Sequence, residues 1–178
     1  METKIPLYNI TNIFMPGLIF IGSCVFLFLG EVRLFAKIIN DLGNIGLEVL
    51  ITVSLFAIAY EIGYIIFRIG AVGIERLLKK LFGWADYKDY ISAGKTSNNA
   101  FEKLEKLSRE YGYVRTRIAL FTVLAILTGI KAQWWIMGSC ILCVVLFLFT
   151  ARGHMKKIQG AVSQYLTTSN GSEARSDG

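Results

Sequence analysis

Apolar residues gather in four runs along the chain, and charged residues fall almost entirely between them. The first run covers about 13–29, within NIFMPGLIFIGSCVFLFLG, and the second about 47–67. The third covers about 118–130 and the fourth about 134–150. An α-helix rises about 1.5 Å per residue, so roughly 20 apolar residues cross the ~30 Å hydrocarbon layer of a bilayer. The third run is short and must borrow residues from its flanks. Its partner supports it, because a tight turn at Gly129–Gln133 leads straight into the fourth. The pattern predicts an all-α, polytopic membrane protein with four transmembrane helices and a cytoplasmic helical hairpin between the second and third. Residues 1–67 then hold the first two spans, 68–117 the hairpin and 118–162 the last two. The polar tail 163–178, SQYLTTSNGSEARSDG, reads as disordered.

The first run is read as a retained span and not a cleaved signal. Only Lys4 precedes it, and the bulky FLFLGEVRLF that follows offers no small-x-small cleavage site.

Within 68–117 the period changes to that of amphipathic helices. GIERLLKKLFGW sets Ile74, Leu77, Leu78, Leu81 and Phe82 on one face and Arg76, Lys79 and Lys80 on the other. That is the pattern of a helix lying in the headgroup boundary with its basic side toward anionic lipid; a helix that continues the second span and packs on a neighbour would show it too. The polar stretch ISAGKTSNN interrupts the segment and ends in Asn98–Asn99, which suit a helix N-cap. The next helix, AFEKLEKLSREYGYVRTR, carries Phe101, Leu104, Leu107, Tyr111 and Val114 as an apolar stripe and runs on toward the third span, with Gly112 a place where it can bend. Glu102 with Lys106 and Glu105 with Arg109 form i,i+4 pairs in the favourable order.

Composition agrees with this picture. Apolar residues make up 54% of the chain and the mean hydropathy is +0.52, above the roughly 45–50% apolar share of soluble domains. A net charge of +6 admits nucleic acid or anionic lipid as partner, and its location decides between them. The basic residues flank the apolar runs, which favours the phospholipid membrane, and no direct nucleic-acid binding is expected. Of the 19 lysines and arginines, all but Arg33, Lys37 and Lys131 fall on the side shared by the N-terminus, the 68–117 segment and the tail. The positive-inside rule makes that side cytoplasmic and places the protein in a bacterial inner membrane with both termini inside. Trp134 and Trp135 then sit at the outer interface. Candidate surface or partner-binding residues are Arg76, Lys79, Lys80, Lys103, Lys106, Arg109, Arg115 and Arg117.

Catalytic signatures are thin. Cys24, Cys140 and Cys143 lie inside apolar runs, where hydrocarbon disfavours the thiolates that redox or zinc chemistry needs, so they read as small packing residues. His154, the only histidine, sits beside Arg152 as a solvated flank. AGKTS resembles the end of a phosphate-binding loop but lacks the upstream glycine and the preceding strand. No catalytic residue, metal or cofactor is expected.

The stretch AYEIGYIIFRIG places Glu61 and Arg68 inside the second apolar run. Arg68 is near the cytoplasmic end and can extend its head to water. Glu61 lies about 9 Å deeper, where an ionised side chain is costly and turns to protein or water. Glu61, Arg68 and Glu75 recur every seven residues with Tyr64 on the same side, so on a regular helix they share one face. Glu61 and Arg68 are too far apart along one helix to pair easily, which points to pairing between helices. Gly63, Gly70 and Gly73 thin an adjacent face for close helix approach. Glu61 is either a hydrogen-bond acceptor that sets oligomer register or the lining of a small ion-conducting pore; the scarcity of other intramembrane polar residues favours the first.

In AYEIGYIIFRIG, FEKLEKLSREYGYVRTR, size and topology, the chain resembles the membrane subunit of the Kiwa anti-phage defence system and, as loosely, the four-span accessory protein of some RNA-guided defence systems. The resemblance implies a non-enzymatic membrane sensor and scaffold, homo-oligomeric, that recruits a soluble cytoplasmic effector. It carries no functional residues across.

Overall fold

The computed structural model describes residues 10–28, 33, 37, 45–83, 87–95 and 97–176. Lys4 and the end of the first apolar run at Leu29 lie outside the described residues. All regular structure among the described residues is helical. A π-helical turn, Ile10–Phe14, leads into α1, Met15–Leu27, with Pro16 in its first turn, where a missing N–H costs nothing. α2 runs from Ile45 to Ile69. A second π-helical turn, Gly70–Ile74, joins it to α3, Glu75–Phe82. α4 is Tyr87–Lys95, α5 is Asn98–Ile130 and α6 is Trp134–Ser176.

Three helices are long and apolar enough to cross a membrane, the stretches Val49–Phe82, Asn99–Ile130 and Trp134–Thr167. The helix over Asn12–Leu27 is apolar but shorter. α2 holds α1 by backbone contact. A Cβ on Gly17 would lie 1.7 Å from the Ala59 carbonyl oxygen, and one on Gly63 would lie 1.8 Å from that of Ile13. Only glycine allows this approach, and Phe14 stacks on Phe56 beside it with ring centroids 5.7 Å apart. Gly70 makes a looser approach to Arg115 and Thr116 of α5, whereas Gly73 faces open space. Of the three glycines expected to thin one face, two do so.

α5 and α6 form an antiparallel pair along most of their length. Phe121 stacks on Phe147 at 5.8 Å, Glu110 faces His154 and Lys103 faces the ring of Tyr165. The turn between the two helices closes with Gln133 N–H donating to the Thr128 carbonyl at 2.9 Å and Ala132 N–H to that of Gly129 at 3.0 Å. Ala132 occupies the left-handed conformation (φ 54°) usually given to glycine at a helix end.

Two cores result. The apolar end holds Ile66 of α2, Ala119, Leu120 and Leu124 of α5 and Cys140 of α6, with Ile19 and Phe20 of α1 packed against them. The polar end is a head in which α3 and α4 pack on the first half of α5 and the second half of α6. Leu78, Ala93, Leu104, Tyr111, Val114, Ile118, Met155, Ile158 and Val162 are its interior.

The head differs from the sequence expectation in three respects. The stretch from Ser163, polar enough to read as disordered, continues α6 as helix to Ser176. Tyr165 and Leu166 pack against the head core. Next, Ser97 and not Asn98 caps α5: its hydroxyl accepts from Ala100 N–H at 3.1 Å. Finally, the apolar faces of α3 and α5 are split. Leu78 is buried, with Ile74 and Phe82 partly so, while Leu77, Leu81 and Phe101 stay exposed. α5 passes through Gly112 without interruption.

The Gly17–Gly63 approach predicts that Gly63→Ala forces α1 from α2 and destabilises the protein by about 1–3 kcal/mol, as overpacking does. Gly22→Ala, where a Cβ meets nothing within 4 Å, should be neutral. Unfolding of both variants in mixed micelles, followed by circular dichroism, checks this.

Candidate functional site

The π-helical turn at Gly70–Ile74 decides where the charged residues of α2 and α3 go. Such a turn carries one residue more than an α-turn and rotates everything beyond it by about 100°. Glu61, Tyr64 and Arg68, before it, lie on the exposed face of α2. Glu75, after it, is turned inward. The single face drawn from seven-residue spacing is therefore divided, and Glu75 does not share the surface of Glu61 and Arg68.

Glu75 becomes the centre of a charged junction between α3 and α5. Arg115 of α5 donates to its carboxylate, and Lys79 binds the other oxygen at 2.7 Å. The Arg115 guanidinium also lies 5.4 Å from the ring centroid of Phe67 on α2. Both members of the Arg115–Glu75 pair are largely removed from solvent, so it contributes more than an exposed ion pair, and loss of one partner strands the other. Tyr111, one turn before Arg115, is buried in the head core. Burial, and then the nearby Glu75 charge, push its hydroxyl up from the ordinary tyrosine value to about 12, although Arg115 pulls the other way.

α3 starts at this junction. In the α5–α6 register Arg115 stands level with about Arg152, and the Arg152 guanidinium lies 5.9 Å from the ring centroid of Phe82 at the far end of α3. α3 thus begins against α5 and ends against α6, where the Gln159 side chain also lies beside Gly83. Leu77, Leu81 and Arg76 are exposed along it. Gly83, at φ 73°, ends the helix.

Glu61 makes no hydrogen bond or ion pair among the described residues, whereas Arg68 folds back over the ring of Tyr64 at 5.4 Å. The structure does not bring Glu61 and Arg68 together. The other basic candidates separate by depth. Arg76, Lys80, Lys103, Lys106 and Arg109 are exposed, and Arg109 is held by Glu105 one turn earlier. Arg117 is buried, its guanidinium 4.7 Å from the ring centroid of Tyr113.

Sequence reasoning missed two polar groups. His154 is not a solvated flank: it sits between α6 and α5 with Nδ1 3.6 Å from Glu110 Oε2. Asn12 is fully enclosed at the start of α1. The spacing of Ala151, Met155, Ile158 and Val162 by fours and threes was the available signal that α6 continues past the apolar run and carries His154 into the interface. Cys140 packs within the apolar core, and Cys24, Cys140 and Cys143 are unbridged. The described residues contain no cluster of His, Cys, Asp or Glu able to hold a metal.

No family model matches the chain, and neither a curated protein nor a solved structure matches it. Fold and composition set the class: an all-helical protein with three helices long and apolar enough to span a bilayer, which marks it as a membrane protein.

The Tyr111 assignment gives a pH prediction. The unfolded hydroxyl ionises near 10 and the folded one near 12. The folded state therefore binds the proton more tightly, its stability is full below pH 10, and it declines as pH rises toward 12. Ultraviolet titration should show one tyrosinate appearing near pH 12, and Tyr111→Phe should remove it. The junction gives another: Glu75→Gln and Arg115→Gln should each cost about 2 kcal/mol, between the values of exposed and buried pairs. The double variant should cost less than their sum, as read from a double-mutant cycle of unfolding.

Proposed function

We propose that the chain is a non-enzymatic, homo-oligomeric protein of the bacterial inner membrane that self-associates through α2 and presents its basic head to a soluble cytoplasmic effector, in anti-phage defence. In this reading α1 is the fourth span, the head and both termini are cytoplasmic, and α3 lies in the headgroup layer. The observation that carries the proposal is the exposed, unpartnered Glu61 on an α2 face that it shares with Tyr64, Arg68 and the apolar side chains of Ile58 and Ile65. A charge facing hydrocarbon costs about 2.5–3.5 kcal/mol on insertion scales. Covering it with a second copy, whose tyrosine or arginine donates to it, relieves that cost.

The head supports the second half of the proposal. Phe101, 58% exposed, and the exposed Ile91 line a shallow pocket with Tyr90, Lys95 and Leu104, and Lys103, Lys106 and Arg109 are exposed further along α5. An exposed aromatic beside Lys95 on a basic head suits a partner with an acidic surface. The resemblance to the Kiwa membrane subunit points the same way. Basic residues placed against the membrane-facing end favour lipid over nucleic acid as their other contact.

Cysteine cross-linking tests the oligomer. In a background lacking the three native cysteines, Ile65→Cys should cross-link in native membranes and Leu142→Cys on α6 should not. Glu61→Ala should weaken association about three- to thirtyfold, the range of one interhelical hydrogen bond. Solubilised protein that runs as a monomer, and captures nothing from a lysate that Phe101→Asp fails to capture, ends the proposal. Currents in planar bilayers that change with Glu61→Gln would instead establish a pore formed between copies.

A further inference from the structure

The end of α3 and one face of α6 form a groove of about 220 Å³, lined by Phe82, Val145, Leu148, Phe149 and Arg152. The four α6 residues are spaced three and four apart, so they make a single line along that helix. Three of them are apolar, and the fourth, Arg152, is a cation at the end of the line. Phe82 stands beside it, its ring centroid 5.9 Å from the guanidinium. The cation therefore belongs to the wall of the groove itself.

Beyond Arg152 the same side of α6 turns polar. Lys156 is exposed one turn further on, and the Gln159 amide nitrogen lies 3.6 Å from where a Cβ on Gly83 would stand. Among the described residues no carboxylate forms an ion pair with Arg152 or Lys156. The carboxylates of the same region are engaged, Glu75 by Arg115 and Lys79, and Glu110 by proximity to His154. The Phe82 ring attracts the guanidinium but supplies no anion.

Depth places this groove in one half of the bilayer. From Trp134 to Val145 α6 rises about 17 Å, past the middle of the ~30 Å hydrocarbon layer. From Val145 to Arg152 it rises about 10 Å more, so the apolar line covers much of the second leaflet and ends on the cation at its boundary. Val145 and Phe149 are exposed along it. An apolar groove alone takes any acyl chain, and an exposed arginine alone is satisfied by water. Joined end to end at a membrane boundary, they match the polarity of an anionic phospholipid.

We propose that the protein holds one anionic phospholipid of the cytoplasmic leaflet in this groove. Its phosphate sits on the Arg152 guanidinium with Lys156 beside it, and an acyl chain lies between Phe82 and the Val145–Phe149 line. The planar fork of the arginine binds phosphate through two parallel hydrogen bonds, which a lysine cannot do. The assignment to the cytoplasmic leaflet rests on the orientation proposed above, and one measurement separates the two. Native mass spectrometry of the full chain in mild detergent reads subunit number from the protein mass and lipid from the adducts. A monomer that keeps its lipid ends the oligomer and spares the site; an oligomer without lipid does the reverse.

Phosphatidylglycerol and phosphatidylcholine with the same acyl chains are the probes. The wild type should retain one phosphatidylglycerol per chain and bind phosphatidylcholine about tenfold more weakly, as expected for a charge-assisted contact. Arg152→Gln should lose about tenfold for phosphatidylglycerol, while Arg152→Lys keeps part of it. Val145→Trp should fill the groove and weaken both lipids. Lys106→Gln, which removes the same charge from the head, should bind as the wild type does. Equal retention of the two lipids by the wild type overturns the site. So does an equal loss in Lys106→Gln and Arg152→Gln, which marks a diffuse charge effect. Undiminished phosphatidylglycerol binding by Arg152→Gln or Val145→Trp, with helix content unchanged by circular dichroism, overturns it too. A second copy seated in the groove would show as a lower subunit number in Val145→Trp with no lipid on the wild type, and that result also ends the proposal.

Discussion

The antiparallel seam between α5 and α6 is the contact on which the other helices depend. Ala100, Leu104, Leu107, Tyr111, Val114 and Ile118 recur at spacings of four and three along α5, and Ala151, Met155, Ile158, Val162 and Tyr165 do so along α6. Two such lines mesh only in register. That register aligns Phe121 with Phe147 in the apolar half and Lys103 with Tyr165 in the polar half. It makes one rigid element from a pair that would otherwise be two spans and two loose extensions. α1 and α2 join its apolar half, and α3 and α4 join its head.

The π-helical turn after α2 is the other decisive device, and it works by rotation. A regular helix through 70–74 would keep Glu75 on the surface of Glu61 and Arg68. The additional residue swings it onto Arg115 instead, where Lys79 completes its coordination. α3 then packs with Leu78 inward and Leu77 and Leu81 outward. The apolar face is divided: one line packs on the head, as a helix that continues the second span would, and the other stays exposed.

Four arginines near one depth show how environment separates a single residue type. Arg68 rests on Tyr64 at the surface, Arg115 is bound to Glu75, and Arg152 covers Phe82. Arg117 alone is buried against Tyr113 with no acid beside it. In composition they count equally toward a net charge of +6. Only the fold distinguishes these four settings.

The sequence by itself determined that the chain is helical, where its apolar segments fall, and that its basic residues collect at one end, because periodicity and hydropathy are local properties of the chain. It also singled out Glu61 as the carboxylate without an easy partner. Tertiary structure decided what depends on neighbours. Composition made 163–178 read as disordered, whereas α6 continues as helix to Ser176, with Tyr165 and Leu166 packed against the head core. Seven-residue spacing joined Glu75 to Arg68, and a single π turn separated them. Nothing in the spelling of 113–117 marks Arg117 as buried, since burial is conferred by whatever packs over a residue. Asn12 and His154 escaped notice for the same reason: a polar side chain acquires its role from the wall it faces, and that wall comes from residues remote in sequence.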